Sequence, residues 1–171
     1  MLNAQQILDE GLLKLEHTHG KPAQVGYDLS LKSVNKVGYK GSPTSPIGRV
    51  LKDKTQLTDY TPFEPTNLDG VRGWLFYKGV YDIKFNEGCK LPSNRVAFIK
   101  QRSSLYRNGT IINSPVFDPG FETDFMGTLM YVHETIFIEE NARVAQIYFH
   151  ECESAELYNG QWQGDKQRTQ Q

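Results

Sequence analysis

Two cysteines, Cys89 and Cys152, are all the thiols in this chain of 171 residues. They have no metal-ligand spacing, which excludes a cysteine-built zinc site. Reduced, partly buried thiols are expected of them rather than a disulfide. No apolar run resembles a signal peptide or a membrane span, so no membrane partner is expected and the cytoplasm is the expected compartment. Charge of either sign is not in excess: the formal net charge is -1 and the pI is near 6.4. That balance gives no general attraction to nucleic acid, and the basic residues matter only where they cluster. The pair His17 and His19 reads as helix-end residues facing the helix dipole rather than as metal ligands.

What remains is an ordinary composition, 38% hydrophobic and 23% charged, enough for one globular domain spanning residues 1–171. Residues 3–15 carry Ile7, Leu8, Leu12, Leu13 and Leu15 at helical spacing behind Asn3, a good N-cap, with Gly11 as a weak point; one short amphipathic helix is expected. From Gln24 onward the chain turns to brief alternating or apolar runs broken by Gly, Pro, Asn and Asp. This pattern predicts an all-β sandwich or barrel, with strands at 25–31, 73–77, 79–85, 95–100, 110–113, 125–133 and 143–151. Residues 38–69 lack either period and read as an irregular insertion that packs on a neighbour or covers a site. Residues 152–171 form a polar arm. Its single Trp162 gains nothing by mere solvation, so it either closes over a ligand or docks on the domain or a neighbouring subunit.

Two segments carry chemistry. Gln101-Arg102-Ser103-Ser104-Leu105-Tyr106-Arg107-Asn108-Gly109 brings two guanidiniums and two hydroxyls together at a turn, which is phosphate-binding chemistry. Asp118-Pro119-Gly120-Phe121 then sets a carboxylate beside an aromatic ring. Together they suggest a site for a nucleoside triphosphate.

The order of these segments, with Val25-Gly26-Tyr27-Asp28-Leu29 before them and Ala142-Arg143-Val144-Ala145-Gln146 and the Gln/Gly-rich tail after them, resembles the trimeric dUTPase and dCTP deaminase superfamily. The framing residues Gly79-Val80-Tyr81-Asp82-Ile83-Lys84-Phe85-Asn86-Glu87, Leu91-Pro92 and Pro22-Ala23-Gln24 are similar to the deaminase-like branch. The resemblance covers the chain apart from 38–69. It implies a distorted, jelly-roll type β-barrel with a short N-terminal helix and a flexible C-terminal arm, a homotrimer with active sites between subunits, and a deoxynucleoside triphosphate bound with Mg²⁺.

It also implies roles. Arg102, Ser103 and Ser104 would contact the phosphate chain, as would Gln146. Arg107 would do so too or form a surface ion pair, and Arg143 would steady the motif or pair with Glu139 or Glu140. Asp28 would lie near the metal and its waters, the ion itself being held mainly by substrate phosphates. Asp118 would orient and deprotonate the attacking water. Phe121 would pack on the deoxyribose or simply in the core, Asn113 would read the pyrimidine edge or form a turn, and Trp162 would close the site.

Deaminases of this superfamily place a glutamate on the strand after the Asp-Pro-Gly motif. Here that strand reads Phe125-Met126-Gly127-Thr128-Leu129-Met130-Tyr131-Val132-His133, with Thr128 at the glutamate position. A hydroxyl is no general base near neutral pH, and only a shifted register could use Glu122 or Asp124. The expected activity is therefore dUTP diphosphatase. A dCTP deaminase, a bifunctional enzyme, a pyrophosphatase for another pyrimidine nucleotide and a silent nucleotide-binding trimer are the alternatives.

Overall fold

Alternating burial along the strands curls the sheet around one apolar interior. In Arg95–Gln101, for example, Ala97 and Ile99 are fully buried while Lys100 is exposed. The computed structural model describes residues 1–38, 48–50, 52, 55–153 and 156–165. Six of its strands close on themselves: β1 (Tyr27–Val37), β2 (Gly79–Phe85), β3 (Arg95–Gln101), β4 (Thr110–Asn113), β5 (Gly127–Val132) and β6 (Arg143–Glu151). Around the barrel the order is β1-β2-β5-β4-β3-β6 and back to β1, with every pair antiparallel. Closure removes the unpaired edges that an open sheet would expose. Leu29, Leu31, Ile83, Phe85, Ile99, Met130, Ile147 and Phe149 fill the interior. The all-β barrel read from the pattern is what the chain adopts.

The N-terminal helix is shorter than its periodicity predicts. It runs only over Ala4–Asp9, opened by a capping box in which Asn3 and Gln6 satisfy each other's backbone N–H. Gly11 ends it at φ +62, where the Gly11 and Leu12 amides turn back to the carbonyls of Leu8 and Ile7. Leu13–Lys14 then becomes a strand against Gly88–Lys90. Arg95, nearly buried, clamps the end of this helix to β3 through two 2.9 Å bonds to the Glu10 carboxylate. Glu87, fully buried, accepts from the Thr18 hydroxyl at 2.6 Å and from the Ser30 amide and hydroxyl at 2.9 and 2.7 Å, which ties the following loop to β1.

The expectation of irregular structure throughout 38–69 needs correction in its second half. Tyr60–Pro62 pairs with Asn35, Lys36 and Val37 at the end of β1, and Thr66–Leu68 forms a hairpin with Val71–Phe76. Phe63 lies against Phe76 and Tyr81 at 5.8 and 5.7 Å, with its carbonyl accepting from the Trp74 indole at 2.7 Å. Residues 39–47, 51, 53 and 54 of that segment lie outside the described residues. Both cysteines are free; Cys89 is buried, and burial pushes its thiol up to about 12. Among the described residues no helix is long and apolar enough to cross a membrane.

Candidate functional site

The expected site residues fall into two groups on one chain. The first lies where β1 meets β6. Gln146 stands opposite Asp28 in register, and a bulge between Arg143 and Ala145 lets Ala145 and Ile147 point inward while Gln146 and Tyr148 stay accessible. Within that bulge the Val144 carbonyl accepts from the Arg102 amide at 3.0 Å, which brings the loop after β3 against β6. That loop is not a simple turn, as the sequence suggests; it forms a short helix over Ser103–Arg107.

Asp28 organises this group. Its carboxylate is almost buried, and its Oδ2 lies 3.0 Å from the Arg143 guanidinium and 3.4 Å from Arg102 Nε. About a third of each arginine side chain remains exposed while Asp28 holds its guanidinium. Arg143 thus steadies the motif and does not pair with Glu139 or Glu140; Glu140 pairs with Arg72 at 3.1 Å instead. Tyr148, whose hydroxyl is raised by burial and by the Asp28 charge, donates to Gln146 Oε1. The Gln146 amide N–H groups are thereby directed away from the tyrosine. Ser103, Ser104 and Arg107 are exposed on the short helix.

The second group surrounds a cavity of about 330 Å³ lined by Asp118, Phe121, Thr123, Tyr158, Trp162 and Leu57, among others. Asp118-Pro119-Gly120-Phe121 is a tight turn: the Phe121 amide donates to the Asp118 carbonyl at 3.0 Å, and Gly120 sits at φ +83, as a Pro-Gly type II turn requires. First and fourth turn residues share a side, so the exposed Asp118 carboxylate and the nearly buried Phe121 ring face one cavity. Phe121 touches Phe117 at 5.4 Å in the core and also walls the cavity.

The arm folds back onto this turn. The Tyr158 amide donates to the Pro119 carbonyl at 2.7 Å, Gln163 Nε2 donates to the Gly120 carbonyl at 2.8 Å, and the Tyr158 ring meets Phe121 at 5.9 Å. Trp162 is half-buried against the same cavity, so the arm docks on its own domain. Neither Arg102, Gln146 nor Asp28 lines the cavity, and Asn113, exposed at the end of β4, does not reach it either.

Residue pattern did not single out Tyr158, Leu57 or Tyr148. A second aromatic four residues before Trp162 in a polar tail was a usable signal for Tyr158, whereas nothing local marks Leu57. The strand that would carry a deaminase glutamate presents Thr128 at that position. Thr128 is fully buried and donates to the Asn113 carbonyl at 2.9 Å. Glu122 and Asp124 are taken by Lys14 Nζ at 2.8 and 2.7 Å, and those bonds hold both carboxyls below their ordinary range.

Residues 2–152 match the family model described as dCTP deaminase-like. The chain belongs to that family. Among its relatives, the deoxyuridine 5'-triphosphate nucleotidohydrolase of Methanocaldococcus jannaschii is 41% identical over 142 residues, covering 82% of this chain and 86% of that protein. A probable deoxyuridine 5'-triphosphate nucleotidohydrolase of Halobacterium salinarum is 32% identical over 124 residues, 71% of this chain and 74% of its own length. The fold is that of the 2'-deoxycytidine 5'-triphosphate deaminase of Agrobacterium tumefaciens, at TM-score 0.59 and 16% identity over 88% of this chain and 48% of that one. An EIAV dUTPase is similar at TM-score 0.51 and 15% identity, over 87% of this chain and 96% of that one. This dCTP deaminase-like domain thus shares its barrel with a deaminase and a dUTPase, while the two archaeal relatives carry the hydrolase name.

Proposed function

We propose that this protein is a dUTP diphosphatase that hydrolyses dUTP to dUMP and pyrophosphate. The observation that carries the reading is where the candidate groups lie: Asp118 is exposed at the cavity, the carboxylates of Glu122 and Asp124 are paired with Lys14, and the Thr128 hydroxyl, at the deaminase glutamate position, is buried and bonded to a backbone carbonyl. The archaeal relatives named as dUTP nucleotidohydrolases support the same choice.

In this mechanism Asp118 accepts a proton from a water that attacks the α-phosphorus; the bond from that phosphorus to the bridging oxygen breaks, and pyrophosphate leaves. Arg102, Ser103, Ser104, Arg107 and the Gln146 amide donate to the phosphate chain, each charge-assisted contact being worth ~1.5–3 kcal/mol. Asp28 acts chiefly by fixing Arg102 and Arg143. Phe121 packs on the deoxyribose, and Trp162 and Tyr158 exclude water.

Among the described residues no three acidic, His or Cys side chains converge. A divalent ion would therefore draw its ligands from substrate phosphates and water, with Asp28 contributing through water, which suits Mg²⁺. When bound, Mg²⁺ neutralises charge on the phosphates. The phosphate-binding group and the Asp118 cavity are separate on one chain, which supports a homotrimer whose sites join groups from different subunits.

The test is to incubate the purified protein and Mg²⁺ separately with dUTP, dCTP, dTTP and UTP and to identify products by mass. Conversion of dUTP to dUMP and pyrophosphate with dCTP untouched is expected. A uracil product from dCTP would instead make the protein a deaminase, and dCMP a pyrophosphatase of different base preference.

A further inference from the structure

Tyr148 lies beside the phosphate-binding group and has no part in the mechanism above. It follows Gln146 by two residues on β6, so both side chains leave the same face of the strand. In register, Gln146 stands between Asp28 of β1 and Lys100 of β3, and Tyr148 stands opposite Phe98 of β3. On the β1 side the half-buried ring lies against the Gly26 backbone: a Cβ at Gly26 would fall 3.1 Å from Tyr148 Cδ1 and 2.3 Å from the Ile147 carbonyl oxygen. Gly26 sits at φ +75, so only a residue without a side chain lets the start of β1 approach the ring this closely. The tyrosine therefore occupies a slot, and its hydroxyl is delivered to one place.

That hydroxyl donates to Gln146 Oε1. A primary amide has one accepting and one donating end, exchanged by a half-turn of the group, and an ionised phosphate oxygen can use only the donating end. With Oε1 held by the tyrosine, the N–H groups are the end left for an anion. Burial, and then the Asp28 charge, raise the Tyr148 hydroxyl above its ordinary value, so it keeps its proton and remains a donor at neutral pH. Without that donor nothing in the pair opposes the half-turn that would set the Gln146 carbonyl against a phosphate oxygen, acceptor against acceptor.

We propose, resting on the phosphate contact given to Gln146 under the hydrolase reading, that Tyr148 is a positioning residue whose hydroxyl orients the Gln146 amide with its N–H end toward the phosphate chain. It touches no reacting atom and acts only through Gln146.

The test is a double-mutant cycle over wild type, Tyr148→Phe, Gln146→Ala and the double variant. Binding of the non-hydrolysed analogue α,β-imido-dUTP with Mg²⁺ is followed by calorimetry, beside KM and kcat for dUTP. Tyr148→Phe keeps the ring in its slot and removes the donor. Analogue affinity should fall about three- to tenfold, the effect of one hydrogen bond, and the loss in turnover should be carried by KM rather than kcat. With Gln146→Ala already present, adding Tyr148→Phe should change affinity by less than about twofold. Wild-type affinity in Tyr148→Phe would overturn the assignment. An equal loss with and without Gln146 would overturn it too, because the tyrosine would then act by packing. Wild type that binds the analogue but turns over no nucleotide would defeat the hydrolase reading alone, and the cycle would still decide on Tyr148. Absence of analogue binding by wild type would remove both.

Discussion

At the scale of single residues the reading rests on which carboxylates are available. The chain has 20 acidic residues, yet near the cavity Glu122 and Asp124 are spent on Lys14. Asp118→Asn keeps the size and the hydrogen-bonding reach of the side chain but removes the proton acceptor. Affinity for dUTP should remain within a few fold while turnover falls by several orders of magnitude, ~10²–10⁴-fold being the usual share of a general base. Single-turnover rates with Mg²⁺ and binding of the unreacted nucleotide check this; a variant at the wild-type rate would remove Asp118 from the mechanism. Asp118 and Phe121, three residues apart, and Trp162, a lone indole in a polar tail, stood out in the sequence, and the cavity gathers all three. Leu57 was not legible, because a leucine in an aperiodic segment has no local mark and its place at the cavity comes from long-range pairing. Tyr148 was hidden for another reason: on an alternating strand a half-buried tyrosine reads as packing until its partner Gln146 is seen.

At the scale of elements, brief apolar or alternating runs between turn residues located every barrel strand, although Tyr27–Val37 runs six residues past its expected end. Patterning failed where an element is short or ends by geometry. The helix stops at Gly11 although apolar spacing continues to Leu15, and Tyr60–Pro62 is a strand only because β1 extends to meet it. The arm is the element closest to function, and its dock is the Asp118 turn. A Cβ at Gly120 would fall 2.8 Å from Leu157 Cβ and 2.9 Å from the Tyr158 amide, and φ +83 already strains any L-residue by ~1–2 kcal/mol. Gly120→Ala should therefore release the arm: limited proteolysis should cut residues 154–171 several-fold faster, and kcat/KM for dUTP should fall at least tenfold while the barrel melts only slightly earlier. Equal proteolysis of both proteins would show that the dock does not hold the arm.

The small sheet that pairs Leu13–Lys14, Gly88–Lys90 and Glu122–Thr123 is held partly by charge. Lys14 is raised, first by its bond to Asp124 and then by Glu122, while both carboxyls are lowered by Lys14. The carboxylates' contribution is full above their ordinary values of 4.5 and 3.8 and is lost as pH falls through the lowered folded values. The lysine's contribution is full below 10.5 and is lost only as pH rises through its raised value. Partial exposure limits the Lys14–Glu122 pair to ~1 kcal/mol or less. Lys14→Met should accordingly melt slightly below wild type at pH 6, with the gap closing as pH is lowered through 4 toward 2.5. A gap that persists at pH 2.5 would assign the effect to packing of the lysine stem.

At the scale of the whole molecule, closing the barrel fixes two groups of candidate residues that lie apart on one chain. The guanidiniums of Arg102 and Arg143 are locked to Asp28 at the β1–β6 seam, and the Asp118 turn is locked to the arm at a separate cavity. Under the proposed function, a substrate that needs both groups brings chains together, and a head-to-tail ring of three would supply identical junctions. This has a consequence that no property of a monomer could imitate. Asp118→Asn and Arg102→Ala should each be inactive alone, because every site in either homotrimer lacks one half. Co-expressed with different tags and purified through both, they should regain activity, since a junction that takes Asp118 from one parent and Arg102 from the other is intact. With random assembly about a quarter of junctions are of this kind, so activity should approach about a quarter of wild type before the tags enrich mixed trimers. If sites were built within single chains, every chain in the mixture would still carry a defect and the mixed protein would stay as inactive as its parents. Measuring dUMP release from the doubly purified protein, beside each parent, decides between the two arrangements.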